Sequence, residues 1–437
     1  MSGMTRLMWF RRDLRLTDLP ALLDAGADDA DVLACYVLDP RLTASAGPRR
    51  LQFLYDSLRE LRGALDGRLL VTRGKPDARI PALAKAVEAT SVHVSGEFTP
   101  FAKARDQAVA GALGDIPLEI TGSPDLGSPG RVHKDDGTTY KVFTPYFRRW
   151  QQHGWRGPAK TGAHSAKWID PGEVCGAGTN LDIPDPGTEL PYPAGEKAAR
   201  RRWTRYVDDH LEDYADDRNR PDLDTTSRMS AYLHFGNIHP RTLAADLDAK
   251  AAGPAAYLRE LAFRDFYATV LWEWPRSAWW NFNSDFDAIE VDDDQEAAAH
   301  FEAWKLGRTG FPIVDAGMRQ LRETGFMHNR VRMITASFLV KDLHLPWQWG
   351  ARWFLEQLLD GDIASNQHGW QWAAGSGTDA APYFRVFNPE TQGKKFDPDG
   401  TYVRRWVPEY GTDGYPAPIV DHGAERAEAL RRYNALA

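Results

Sequence analysis

The chain has 437 residues and only two cysteines, Cys35 and Cys175. They lie far apart and outside any metal-ligand spacing, which excludes a disulfide framework, points to no metal site and fits a reducing cytoplasm. Long apolar runs are missing as well. Nothing approaches membrane-spanning length, and "MSGMTRLMWFRRDLRL" turns charged too soon for a signal peptide, so a cytoplasmic protein away from membranes is expected. Positive charge is not in excess: the net charge is -8, with acids clumped in "GADDAD", "VDDHLEDYADD" and "VDDDQE". A nucleic acid would have to be held by a local basic groove. There is no GxGxxG after the first apolar stretch, no GK[ST] phosphate loop, no HExxH and no serine-hydrolase pair. Any hard chemistry therefore falls to a bound organic cofactor.

What is abundant is tryptophan, with 16 residues, many in the second half. The first third alternates short apolar stretches with helical ones. Arg6–Phe10, Val32–Asp39, Arg68–Gly74 and Ser91–Phe98 read as buried strands. Leu51, Leu54, Leu58, Leu61 and Leu65 step by three and four, the pattern of a helix covering a sheet. Such alternation predicts a doubly wound parallel sheet. Residues 128–194 are rich in Gly, Pro and Thr with little periodicity, interrupted by one compact patch, "YKVFTPYFRRW". Helical periodicity dominates thereafter. The expected layout is a Rossmann-like α/β lobe (1–127), a linker (128–194) and an all-helical lobe (195–437).

Three predicted helices carry polar groups on apolar faces. Glu260, Phe263, Arg264 and Tyr267 share one stripe. Asn329 and Met333 are four apart, flanked by Arg330 and Arg332, and Asn366 lies four before Trp370. Each stripe alone also reads as an ordinary helix end with surface ion pairs. Together they suit a flat aromatic ligand with hydrogen-bonding edges and phosphates. "TTSRMS" (225–230) offers hydroxyls and an arginine before a helix, either an anion site or a plain cap. "GWQWAAGSG" sets Gln371 between two indoles, Trp370 and Trp372, which equally reads as helical core.

These stretches, with "TSRMSAYLHFG", "RELAFRDFY", "RTGFPIVDAGMRQL", "TGFMHNRVRMITASFLVKDL", "DGDIASNQHGWQWAAGSGTDAAPYFRVFNPETQGKKF" and "YPAPIVDH", resemble the photolyase/cryptochrome family. "WFRRDLRLTD" and "YKVFTPYFRRW" extend the likeness across the whole chain. It is nearest to class I enzymes that split cyclobutane pyrimidine dimers.

The resemblance implies fully reduced FAD that, under near-ultraviolet or blue light, donates an electron to a dimer flipped out of damaged DNA and regains it after the ring opens. It implies that Tyr214, Thr226, Ser227, Arg228, Met229, Ser230 and Tyr257 hold the FAD phosphates and ribityl chain. Arg264, Arg332, Asp360, Gly361 and Asp362 would line the cofactor, with Asn366 facing the flavin N5. Glu260 and Asn329 would meet the base edges, with Met333 and Trp372 against the dimer. Phe263 and Arg264 would border the DNA, and Arg218, Arg330 and Arg385 would grip its backbone. Trp370 and then Trp347 would carry electrons to the flavin. A second, antenna chromophore would sit near Arg11, Arg12, Asp39 and Glu97. The protein is expected to act as a monomer.

Three positions depart from the pattern. Phe263 stands where most class I relatives have tryptophan, which predicts somewhat weaker dimer binding. Asp294 falls on or near the place of the surface tryptophan that ends the electron chain. Thr99 replaces the glutamate of folate-binding relatives while Glu97 matches an acid of deazaflavin-binding ones, so 8-hydroxy-5-deazaflavin is favoured over folate. The rival readings are a cryptochrome-type receptor, a (6-4) photolyase, which would want histidines such as His328 and His368 at the lesion, and a non-catalytic flavin protein. Asn329, Asn366 and Met333 favour dimer repair.

Overall fold

The computed structural model describes residues 4–174, 180–379 and 384–436; Cys175 lies outside them. Five strands form a wholly parallel sheet in the order β3-β2-β1-β4-β5. They are β1 (Thr5–Phe10), β2 (Asp31–Leu38), β3 (Leu69–Arg73), β4 (Ser91–Val94) and β5 (Leu118–Ile120). The central strands are near-continuous apolar runs buried on both faces, as parallel strands require. Helix α1 (Pro48–Ala64) buries Phe53, Leu54, Leu58 and Leu61 against one face. Helix α2 (Pro100–Leu113) covers the other side; it starts where Pro100 fixes the first turn and the Thr99 hydroxyl accepts from the Ala102 N–H.

Residues 128–194 do more than connect. Helix α3 (Phe143–His153) packs on the helical lobe through Phe143, Tyr146 and Trp150. The chain then returns to the sheet, where β6 (Lys167–Trp168) pairs in parallel with β2 and the Leu181 N–H bonds to the Val71 carbonyl. Both β5 and β6 are absent from the sequence reading, because two or three partly exposed residues carry no detectable period.

The helical lobe is built on α4 (Met229–Phe235), α5 (Ala252–Glu273), α6 (Gln295–Leu306), α7 (Asn329–Lys341), α8 (Trp347–Gln357), α9 (Ile363–Ala374) and α10 (His422–Asn434), with further helices between. No described helix is long and apolar enough to cross a membrane. Hydrogen bonds stitch the lobes together: the Leu14 N–H reaches the Phe235 carbonyl, and the Arg15 guanidinium donates to the Gly236 carbonyl. Gly236 ends α4 at φ 66°, and a Cβ there would lie 2.0 Å from the Arg12 carbonyl oxygen. Only glycine permits both that conformation and that approach.

Candidate functional site

Helix α5 is the spine of the site. Tyr257, Leu258, Leu261, Ala262, Asp265 and Phe266 bury one broad face. The predicted stripe Glu260, Phe263, Arg264 and Tyr267 is half-buried on the other. Arg218, just beyond the short helix Tyr214–Asp217, pairs with Glu260 at 2.7 Å. Burial raises the Glu260 carboxyl above its usual range, and Arg218 pulls it back only in part. Phe263 lies flat against the fully buried Phe143, with centroids 3.4 Å apart and planes 6° apart.

Helix α7 carries the second predicted set of residues. Asn329 is its exposed first residue, behind the His328 cap. Arg330 donates to Asn219 Oδ1 at 2.7 Å, lies over the Phe396 ring at 4.5 Å and approaches the half-buried Met333 sulfur at 3.6 Å. Trp372, on α9, is half-buried against the same core. Arg385 is exposed, and its backbone carbonyl accepts from Lys341 Nζ. Two of these partners, Asn219 and Phe143, were missed by sequence reasoning, since nothing local marks a contact more than a hundred residues away.

Deeper in, "TTSRMS" forms a cradle. Ser227 Oγ and the Tyr257 hydroxyl are 2.8 Å apart, and Tyr214 packs on Tyr257 with centroids 5.1 Å apart. Arg228 takes the left-handed conformation (φ 55°) before α4, pairs with Asp224 and lies 4.1 Å over Phe326. Met229 is buried and Ser230 exposed. The hydroxyls of Thr225 and Thr226 are buried with no protein partner, as is the indole N–H of Trp370. Buried donors of this kind call for a polar ligand.

Around the start of α9, Arg332 pairs with Asp360 at 3.0 Å and donates to the Met327 carbonyl. Gly361 separates Asp360 from Asp362, which caps α9 through the Ser365 N–H and pairs with Arg12 at 2.8 Å. Burial alone would raise Asp362, yet Arg12 and Arg264 hold it well below the usual carboxylate range. Arg264 itself turns away from Glu260 to Asp125 and the Pro124 carbonyl, both at 2.7 Å. Arg12 thus lies between the expected antenna region and an expected cofactor-lining residue. The Asn366 amide is fixed by donating to the Ala351 carbonyl at 3.0 Å and to Gln367 Oε1 at 2.7 Å.

Gln371, between the two indoles, is fully buried. It accepts from the Phe282 N–H at 2.7 Å and donates to the Ser277 carbonyl at 2.6 Å, stapling that loop to α9. Trp370 lies edge-on to Phe354 and Trp304. A Cβ at Gly350 would stand 2.1 Å from its ring. Trp347 is buried and donates to Asn281 Oδ1. Asp294 caps α6 through the Ala297 N–H, a task its carboxylate does and an indole could not. On the α/β lobe, Glu97 lies 3.3 Å from Arg11 and 3.6 Å from Arg105. Burial opposes its ionisation, but the arginines hold it at about 2. Asp39, at the end of β2, is engaged with Arg41.

Comparison with known proteins agrees with this arrangement. Residues 257–412 match the family model for the FAD-binding domain of DNA photolyase, and residues 6–164 match the DNA photolyase model. A Thermus thermophilus protein named deoxyribodipyrimidine photo-lyase is 40% identical, over 99% of this chain and 98% of its own. A class III photolyase from Agrobacterium tumefaciens superposes with a TM-score of 0.91 at 33% identity, covering 100% of this chain and 98% of its own. An archaeal photolyase from Sulfolobus tokodaii, solved with two FAD molecules, gives 0.86 at 28% identity over 99% of this chain and all of its own. The α/β lobe, the helical lobe with its hydroxyl-lined cradle and these full-length likenesses lead to one conclusion: the chain belongs to the photolyase/cryptochrome family.

Proposed function

We propose that this chain is a deoxyribodipyrimidine photo-lyase, repairing cyclobutane pyrimidine dimers in DNA under light. The observation that carries the reading is the adjacency of two differently furnished regions. One is the mouth, where the Arg218–Glu260 pair stands on the same helix face as Phe263. The other is the cradle, where the Thr225 and Thr226 hydroxyls lack protein partners and Ser227 meets Tyr257. Those hydroxyls suit the phosphates of FAD. When bound, FAD supplies the photoexcited electron that opens the dimer and is then restored.

The chain's own residues do the rest. Thr226, Ser227 and Arg228 hold phosphate, and the Arg332–Asp360 pair and the oriented Asn366 amide border the cofactor. Glu260, protonated more readily than an exposed carboxyl, donates to a base carbonyl, and Asn329 reads the other base edge. Phe263, Met333 and Trp372 exclude water and stack. Arg218, Arg330 and Arg385 form the local cationic rim that an acidic protein needs to hold DNA.

The histidines support this lesion over the (6-4) product. His328 caps α7 through Nδ1, and His368 bonds to Ser277 and the Ala364 carbonyl. Burial holds both at about 4, so neither offers a proton at neutral pH. The test is repair of a thymine-dimer oligonucleotide by reduced protein under near-ultraviolet light, with a dark control and a (6-4) oligonucleotide alongside. Recovery of thymine absorbance on the dimer alone is expected; no recovery on either lesion with FAD bound would leave a photoreceptor.

For the antenna, we favour 8-hydroxy-5-deazaflavin on the α/β lobe beside Glu97, which its arginines Arg11 and Arg105 keep ionised. Thr99 is occupied as a helix cap and offers no carboxylate to a folate. Reconstitution with each chromophore, read by energy transfer to the flavin, decides between them.

A further inference from the structure

Helix α10 lies outside the site described above, yet its last turn packs on the irregular segment that carries Arg385. Tyr433, in its last turn, stacks on Phe384 with centroids 4.5 Å apart and planes 10° apart. Phe286 closes the cluster, 5.9 Å from Tyr433. Phe384 also receives Lys341 Nζ 4.2 Å over its ring, and the same ammonium donates to the Arg385 carbonyl. Lys341 is only 4% exposed, so this one group ties the backbone of Arg385 to the end of α7.

The helix is itself pinned at several points. His422 meets the buried Asp342 at 2.5 Å, and His344 meets Glu425 at 2.7 Å. Arg432 reaches Asp292, outside the helix, at 2.8 Å. A helix anchored this way, with one aromatic laid flat on the residue before Arg385, is built to hold that segment in place.

We propose that α10 is a splint for the DNA-gripping segment and that Tyr433 is a positioning residue acting through Phe384 on Arg385. The inference rests on the reading of Arg385 as a phosphate contact. Ordering the segment before DNA arrives removes an entropic loss from binding, so the effect belongs to affinity and not to the photochemical step.

The test uses FAD-loaded full-length protein and duplexes with and without a thymine dimer. Tyr433→Ala is expected to weaken dimer-DNA binding roughly tenfold, the scale of one charge-assisted hydrogen bond. It is also expected to lower the salt dependence of binding by about one phosphate contact, leaving the flavin spectrum and repair at saturation unchanged. Tyr433→Phe keeps the ring and restores wild-type affinity. In an Arg385→Ala background, Tyr433→Ala adds nothing further, because both act through one contact. Additive losses, or unchanged affinity in Tyr433→Ala, would overturn the proposal. Should Tyr433→Ala prove unstable, Lys341→Met carries the same expectation and is sunk by the same additivity. Failure of wild-type protein to bind dimer DNA would instead strike the functional reading beneath it.

Discussion

Phe263 and Phe143 lie face to face, 3.4 Å between ring centroids, so a residue of the 128–194 segment backs the residue proposed as one wall of the dimer pocket. Arg259 sits over the Phe143 ring at 4.9 Å and steadies the pair.

Replacing Phe143 by Ala removes that backing. The expected loss of stability is about 3–5 kcal/mol, the range for deleting a buried phenylalanine. Denaturant unfolding measures it. The dimer Kd should rise several-fold in the protein that still folds. Phe263→Trp runs the other way: the larger indole should strengthen dimer binding by about 1 kcal/mol. Unchanged affinity would show that Phe263 does not stack on the substrate.

Glu260 gives a pH signature. Burial raises its pKa, so the protonated form, which can donate to a base carbonyl, survives to higher pH than in an exposed glutamate. Dimer affinity should therefore fall as pH rises through that raised value. Glu260→Gln should flatten the profile, since an amide donates at every pH. Arg218→Ala removes the cation 2.7 Å away that stabilises the ionised form, and should move the profile to higher pH. A shift to lower pH in Arg218→Ala would refute the assignment.

The unpartnered Thr226 hydroxyl predicts effects of opposite sign with and without cofactor. Thr226→Val abolishes an unsatisfied buried group and should stabilise the cofactor-free protein by about 1 kcal/mol. The same change should weaken FAD binding by roughly tenfold, the worth of a hydrogen bond to a charged group. Thermal melts of apo protein and flavin fluorescence titration supply the two readings.

Gly350 inverts an ordinary rule. Alanine for glycine inside a helix usually stabilises by about 1 kcal/mol. Here the new methyl would stand 2.1 Å from the Trp370 ring. Gly350→Ala should instead destabilise by about 1–3 kcal/mol through overpacking. Displacing Trp370 should also slow photoreduction of the flavin.

The sequence made visible whatever is encoded locally. The strands at Arg6–Phe10, Val32–Asp39 and Arg68–Gly74 agree with β1, β2 and β3 to within a residue, because each is built on a short buried apolar stretch. The fourth stops at Val94, four residues short, where the chain leaves the sheet and carries Glu97 to its arginines. The α5 stripe was legible because helical spacing puts Glu260, Phe263 and Tyr267 on one side. Illegible were relations between distant segments: Phe143 behind Phe263, Asn219 under Arg330, and Arg264 turning to Asp125. Gln371 drew attention by its neighbours, but its work, stapling a loop ninety-odd residues upstream, is invisible to any local pattern.

The course of residues 128–194 has a consequence for how the protein is made. The ribosome releases Phe143 and Tyr146 well before their partners Phe263 and Phe266 exist. Until then an aromatic cluster hangs from a lobe whose sheet is otherwise ready to close. A nascent chain stalled before residue 263 should therefore be the form most prone to aggregate and most in need of a chaperone. For the same reason, the helical lobe expressed as a separate polypeptide should be restored by adding back the 140–153 segment in trans, and not by the sheet alone.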